Sequence, residues 1–505
     1  PGRSPARSMR AMAATSHPLA TEAALKIMRD QGGNAVDAAI AASAVQAVVE
    51  PQSTGIGGDC FALVAMNGGT KVEAINGSGW SPEKATIAAL QALGVGDEIE
   101  QTSPHAVTVP GCVDAWGKLQ KKFGKLNFAD VLAPAIYYAE KGFVVTDRVS
   151  WDWASNVSML NGNAASSAAY LVGGAAPKAG AVHKLEQLGK TLRILAEEGS
   201  RSFYSGSVAD NMVASLNAIG GLHTLDDFES FESQFVTPIS LDYKGLKIWE
   251  CPPNGQGVIA LMILNILAQL EDLGQGPSSA KRLHIEAEAA RLAYSVRDRM
   301  VTDPEKVEVP VEWMLSTELA KQLAGEIDTN ARNNDLPEIS PNPHKDTVYI
   351  SVVDEDRNCV SLINSTFHSF GSGITCPETG VVFQNRGMSF SMKAEHANAL
   401  APRKRPMHTI IPGMITKGDK AVGPFGVMGG HYQALGHAHF ITGISDFGLD
   451  PQEAIDMPRV MFGPGQELNI EDATGQRVRD GLAAKGHKLV RPETPIGGAQ
   501  AILIS

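Results

Sequence analysis

The chain changes character near residue 337, and that change limits the folds open to it. Ahead of it, helical segments dominate from about 110 to 332, including 113–122, 131–141, 189–198, 258–270 and 281–298. Leu336-Pro337, Ser340-Pro341 and Asn342-Pro343 then form a polar linker that no helix can cross, because proline lacks an N–H and crowds the preceding turn. Directly after it comes 347–354, T-V-Y-I-S-V-V-D, rich in β-formers. A turn at 354–358 leads to a second strand over 359–364. Further short strands are predicted at 380–384, 408–415 and 421–427, with a helix after Gly429-Gly430. Helices over the first two-thirds and strands over the last third make an α+β pattern, with no internal repeat.

Nearer the N-terminus, 16–49 reads as helical, with Asn34 capping the run 35–49. The glycine-rich turn Thr54-Gly55-Ile56-Gly57-Gly58-Asp59 leads into a strand over 60–66. Asn67-Gly68-Gly69 is a hairpin signal, with the next strand over 71–75.

Composition excludes several function classes. With 505 residues, 43% apolar and 19% charged, the chain is of ordinary globular type. A net charge of −12 gives no pull toward nucleic acid or anionic membrane. The longest apolar run, 258–270, falls short of the about 20 residues that a membrane span needs. Five scattered cysteines without a C-x-x-C suggest neither a disulfide framework nor a zinc site. Residues 1–10 hold Arg3, Arg7 and Arg10 with no signal-type apolar segment after them, which points to the cytoplasm. Pro1 is not a natural start, so a removed periplasmic signal is also compatible with the sequence. There is no P-loop, H-E-x-x-H or G-x-S-x-G motif. Gly55-Ile56-Gly57-Gly58 is short of a dinucleotide fingerprint and precedes a strand. His431, His437 and His439 are not spaced to converge on a metal.

The specific stretches are His344-Lys345-Asp346-Thr347-Val348-Tyr349, Asn358-Cys359-Val360-Ser361, Phe370-Gly371-Ser372-Gly373 and Phe425-Gly426-Val427-Met428-Gly429-Gly430-His431. With Ala35-Val36-Asp37-Ala38-Ala39, the turn at 54–59, Val109-Pro110-Gly111 and 130–136, the chain resembles the γ-glutamyltranspeptidase family of N-terminal-nucleophile (Ntn) hydrolases over nearly its whole length. The resemblance implies a four-layer αββα sandwich, with two stacked antiparallel sheets and Thr347 on a central strand. It implies a proenzyme that cuts itself at Asp346–Thr347, leaving a helix-rich piece 1–346 and a piece 347–505 that together form one unit.

On that resemblance Thr347 is the nucleophile, where the strand pattern alone makes it a strand-opening residue. A threonine hydroxyl is a weak nucleophile and needs a base. The α-amine freed by cleavage, with a pKa of about 8, can serve. Ser365 is implied as the hydroxyl that orients Thr347, and Gly429 and Gly430 as the oxyanion hole. His408 and Thr409 fall where the family has two serines that contact the substrate carboxylate.

The pattern also breaks. The arginine that grips an α-carboxylate is expected near 76–80, and Ser78 stands there instead. The groups that hold an α-amine are replaced by Phe367 and Ser389. Arg386, after Asn385, takes the place of a neutral amide. A site with Arg386 and without an acid favours a carboxylate and needs no ammonium. A structural ion pair is the other reading of Arg386.

The expected function is therefore a self-cleaving amidohydrolase, γ-glutamyltransferase-like or glutathione hydrolase-like, acting through an acyl-Thr347 ester by hydrolysis or transfer. One alternative is an amidase for small anionic amides such as oxamate. The other is an uncut, inactive binding homologue. Substrate-binding candidates are Arg386, Asn385, Thr409, His408 and Ser389. No metal or organic cofactor is implied. The expected partners are a small amide, with a heterodimer of the two pieces, single or doubled, and neither nucleic acid nor membrane.

Overall fold

A computed structural model describes residues 3–336 and 347–505. Asp346 and the linker 337–346 lie outside the described residues, so the expected cleavage position is described only from its Thr347 side.

Two antiparallel sheets carry the architecture. Their strands are β1 (Met12–Ala14), β2 (Asp59–Ala65), β3 (Val72–Gly77), β4 (Gln234–Val236), β5 (Ile239–Tyr243), β6 (Leu246–Glu250), β7 (Val348–Val353), β8 (Cys359–Ser365), β9 (Gly413–Lys417), β10 (Lys420–Met428) and β11 (Gly498–Ala501). The first sheet has the order β1-β7-β8-β2-β3-β4 and the second β11-β10-β9-β6-β5. Thus β7, which Thr347 directly precedes, is an interior strand between β1 and β8. Both sheets hold strands from 1–346 and from 347–505, which pair at β1–β7 and β8–β2 in the first sheet and at β9–β6 in the second, so a cut at 346–347 would leave the pieces hydrogen-bonded to each other.

Every residue of β2, β7 and β8 is buried, because these strands are covered on both faces. On the inner face Phe61, Leu63, Tyr349, Ile363 and Met414 fill the space between the sheets. On the outer face of the first sheet lies α1 (Pro18–Asp30) and, beneath it, α2 (Ala35–Val49), buried all round and lying against β7 and β8. Asn34 caps α2 in a capping box with Asp37, as the sequence suggests. The second sheet is covered by α3 (Gly257–Leu267), α4 (Ala280–Met300) and α5 (Tyr432–Ser445). These layers make the αββα sandwich. No helix among the described residues is long and apolar enough to cross a membrane.

Two predicted strands are corrected. The stretch 380–384 makes one isolated bridge, Thr375 to Val382, after Gly380 turns the chain at φ +67°. The stretch 408–412 holds one bridge, Gly255 to His408, and the strand starts only at Gly413. Pro412 has no N–H to give a ladder. Conversely, β4–β6 lie in the stretch 110–332 that reads as helix-dominated, and β1 lies just ahead of the predicted helical stretch at 16–49.

Candidate active site

Thr347 is 4% exposed and lies at the N-terminal end of β7. Val348 pairs with Asn364, and this register brings Thr347 beside Ser365 on the neighbouring strand. Thr347 Oγ1 donates to Ser365 Oγ at 3.2 Å. That same oxygen accepts the Phe367 N–H at 2.9 Å. Phe367 sits at φ +81°, a left-handed conformation that costs a non-glycine residue about 1–3 kcal/mol. The turn it makes puts its ring under Arg386, whose guanidinium carbon lies 3.8 Å from the ring centroid.

The second sheet supplies the glycine pair. Ser351 Oγ donates to the Pro424 carbonyl at 3.3 Å, and the Tyr349 ring packs where a side chain on Gly426 would stand. β7 thus packs against β10, which ends at Met428 and leads into Gly429 and Gly430. Both glycines have positive φ, +132° and +56°. A Cβ on Gly429 would lie 2.6 Å from the Ile496 carbonyl oxygen. Their carbonyls accept from the Tyr432 and Gln433 N–H groups at 3.0 and 3.2 Å, at the entry to α5. Their own N–H groups precede that helix and stay out of its ladder.

Arg386 opens a short 3-10 turn (Arg386–Ser389) and is fully buried. Its Nη1 donates to Thr409 Oγ1 at 2.9 Å. Its Nε and Nη2 have no hydrogen-bond partner among the described residues, and neither has Ser389 Oγ. Burial lowers the guanidinium to about 9, with the Asp59 carboxylate opposing, so it stays a cation at neutral pH. The nearby His368 imidazole is pushed down to about 4 by burial and by Arg386. A direct ion pair, the other reading of Arg386, is absent from the described contacts, since no carboxylate bonds its guanidinium there.

Asp59 is a buried hub that the sequence shows only as the end of a glycine-rich turn. Its Oδ1 accepts from Gly79 N (3.0 Å), Gly111 N (3.1 Å) and Gln384 Nε2 (2.8 Å). Its Oδ2 accepts from His408 Nε2 at 2.9 Å. His408 Nδ1 in turn accepts from Ile410 N at 3.3 Å. Burial and Arg386 hold His408 down at about 4 against Asp59, so the contact is a hydrogen bond of a neutral ring. This corrects the expectation for His408: both ring nitrogens are engaged inside the protein, leaving no donor for a substrate. Asn385 is likewise engaged, accepting from His368 N at 3.0 Å and reaching Met388 Sδ at 3.0 Å. Thr409 meets Arg386 and stands behind it. Ser78, in the place of the missing arginine, is buried and accepts from Asn254 Nδ2 at 3.0 Å.

Sequence reasoning missed Gln256, Arg297 and His431, which surround the glycine turn. His431 Nδ1 accepts from Arg297 Nη1 at 2.8 Å. His437 and His439 pair instead with Glu250 (2.6 Å) and Glu286 (2.7 Å), so the three histidines face three different partners. One group among the described residues has metal-ligand spacing: His284, Glu288 and His487. There, both Glu288 oxygens are taken, by Arg291 Nη1 and Asn333 N at 2.8 Å each. One N–H···N bond of 2.8 Å accounts for the two imidazoles. His284 is also 13 residues from Arg297 on one helix, about 20 Å at 1.5 Å per residue.

Comparison with known proteins bears on the family and the fold. The γ-glutamyltranspeptidase family profile matches residues 20–505. The chain is 36% identical to the glutathione hydrolase-like YwrD proenzyme of Bacillus subtilis, over 97% of this chain and 94% of that one. It is 35% identical to the oxamate amidohydrolase proenzyme of Klebsiella pneumoniae, over 90% and 86%. Among solved structures, a cephalosporin acylase from Bacillus halodurans superposes with a TM-score of 0.92 at 39% identity, covering 99% of this chain and 94% of that one. Relatives of these kinds, sharing the fold and nearly the full length, make this chain an enzyme of amidohydrolase and γ-glutamyltransferase type: it belongs to the γ-glutamyltranspeptidase family of Ntn hydrolases.

Proposed function

We propose that this enzyme is a self-cleaving, threonine-nucleophile amidohydrolase whose substrate is an amide with a carboxylate, and no α-amine, on its acyl group. The observation that carries the substrate class is Arg386. A buried cation with two nitrogens that have no partner among the described residues, stacked on Phe367, whose N–H donates to Ser365, is a ready carboxylate fork. The nearest named acid, Asp59, already accepts four hydrogen bonds and offers nothing to an ammonium.

The chemistry runs in two stages. In the proenzyme, Thr347 Oγ attacks the Asp346 carbonyl carbon, and the peptide C–N bond breaks as the C–O bond forms. Water then cleaves that ester, leaving an Asp346 carboxylate and a free Thr347 amine. In turnover, Oγ attacks the substrate amide carbonyl and passes its proton to that amine. The Gly429 and Gly430 N–H groups hold the oxyanion. The leaving amine takes the proton, and water releases the acid from Thr347. The active unit is the heterodimer of 1–346 and 347–505.

Three probes test the substrate class: glutaryl-p-nitroanilide, oxamate, and γ-glutamyl-p-nitroanilide, which adds the α-amine. The expected result is kcat/KM at least about 10-fold higher for one of the first two than for the γ-glutamyl anilide, as an unpaired buried ammonium costs more than 1.4 kcal/mol. A preference of that size for the γ-glutamyl anilide would restore the family's γ-glutamyl reading.

Gly429→Ala is a second check. Its Cβ would push on the Ile496 carbonyl in a conformation that alanine avoids. Turnover of the best probe should fall about 100-fold, the effect of displacing an oxyanion donor. Unchanged turnover would remove the turn from the mechanism.

A further inference from the structure

The Gly429-Gly430-His431 turn is held from outside, by two helices of the second layer. Gln256, the residue ahead of α3, donates Nε2 to the Gly430 carbonyl at 3.0 Å and to the Thr409 carbonyl at 2.8 Å. Its Oε1 accepts from Arg297 Nη1 at 2.9 Å. The same Nη1 meets His431 Nδ1 at 2.8 Å. A guanidinium can only donate, so Nδ1 carries a lone pair and the neutral ring has its proton on Nε2. Three residues earlier on α4, the Tyr294 hydroxyl donates to the His431 carbonyl, and the Arg297 guanidinium lies 4.3 Å from the Tyr294 ring centroid. Asp298 Oδ1 fixes the remaining edge of Arg297, accepting from Nε at 2.7 Å. Gln256 and Arg297 are both buried.

The bonding pattern is informative. Thr409 carries Arg386 on its side chain, and Gly430 belongs to the glycine turn. One carboxamide therefore ties the backbone of the cation's support to the backbone of the turn, and one arginine orients both that carboxamide and His431.

We propose that Gln256 and Arg297 are positioning residues that set the Gly430 peptide at a fixed place relative to Arg386, so that an amide held by its carboxylate presents its carbonyl oxygen to the glycine N–H groups. This inference rests on the amidohydrolase reading above. It assigns the brace to the transition state: the carboxylate anchor stays intact when the brace is cut, while the oxyanion donors lose their aim.

The test uses Gln256→Met, Arg297→Met and Arg297→Lys in the full chain, with processing followed by intact mass and turnover measured on glutaryl-p-nitroanilide and oxamate. The expected result is kcat lower by about 10- to 100-fold with KM within about twofold, the signature of small misplacement at the reacting centre. Arg297→Lys keeps a cation but not the fork, and should recover part of the loss seen in Arg297→Met. Equal kcat in all variants, or a rise in KM with kcat unchanged, would overturn the inference. Should Gln256→Met not fold, Arg297→Lys against Arg297→Met carries the same comparison. A wild-type chain that stays uncut, or that cuts and hydrolyses none of the probes, would overturn the amidohydrolase reading and the brace with it, and is recognised without any variant.

Discussion

Thr347→Ala is expected to leave the chain in one piece and without amidase activity. The variant removes the attacking oxygen for both self-cleavage and turnover, and an uncut chain never frees the amine that acts as base. Loss of a nucleophile of this kind costs at least about 10⁴-fold. Stability should change little, since the deleted hydroxyl makes one described hydrogen bond, to Ser365, worth about 1 kcal/mol. Thr347→Ser keeps a hydroxyl and should still cut, more slowly. Intact mass after prolonged incubation checks the cut, and release of nitroaniline or ammonia checks turnover. A Thr347→Ala chain that still splits at 346–347 would move the nucleophile elsewhere and leave Thr347 as a strand residue.

Arg386→Met is the second large effect. The variant should still process, because no step of self-cleavage calls on the guanidinium. Its kcat/KM for the anionic amides should fall about 100- to 1,000-fold, or about 3–4 kcal/mol, the range for losing one member of a desolvated charge pair. Much of that loss should appear in KM, since a carboxylate anchor holds ground state and transition state alike. Stability should hold or rise, because the arginine is fully buried and two of its three nitrogens have no partner among the described residues. His408 and His368 stay neutral above about 4, so neither imidazole changes the charge of the pocket between pH 5 and 8. The acid limb of wild-type kcat/KM should therefore follow the Thr347 amine, rising with pH toward about 8. Equal loss on an uncharged acyl anilide would mean that Arg386 supports the fold of the pocket and not the carboxylate.

Much of the site was legible because it is local or punctuated. Thr347 and Ser365 belong to one strand-turn-strand unit, so their meeting follows from the hairpin register. Gly429-Gly430 interrupts a strand ahead of a helix. Asn34 and Asp37 announce α2 within four residues. What was missed depends on distance or on pairing. His408 and Asp59 lie 349 residues apart, and nothing local marks that bond. Helix α4 carries Arg282, Glu286, Glu288, Arg291 and Arg297, and nothing in its local pattern marks them as buried. All five are buried, because partners from other segments neutralise or bond them. Strands β1 and β4, at three residues each, are too short to show a period. Arg386 was legible as a departure from the family pattern, while its orphaned nitrogens needed the fold.

The central claim is that this chain cuts itself to expose a threonine nucleophile. Intact mass of the wild-type protein, with N-terminal sequencing of the smaller fragment, addresses it most directly. The account predicts two fragments, 1–346 and 347–505, with the second beginning Thr-Val-Tyr-Ile-Ser. A single uncut chain, or a fragment that begins at any other residue, would contradict it.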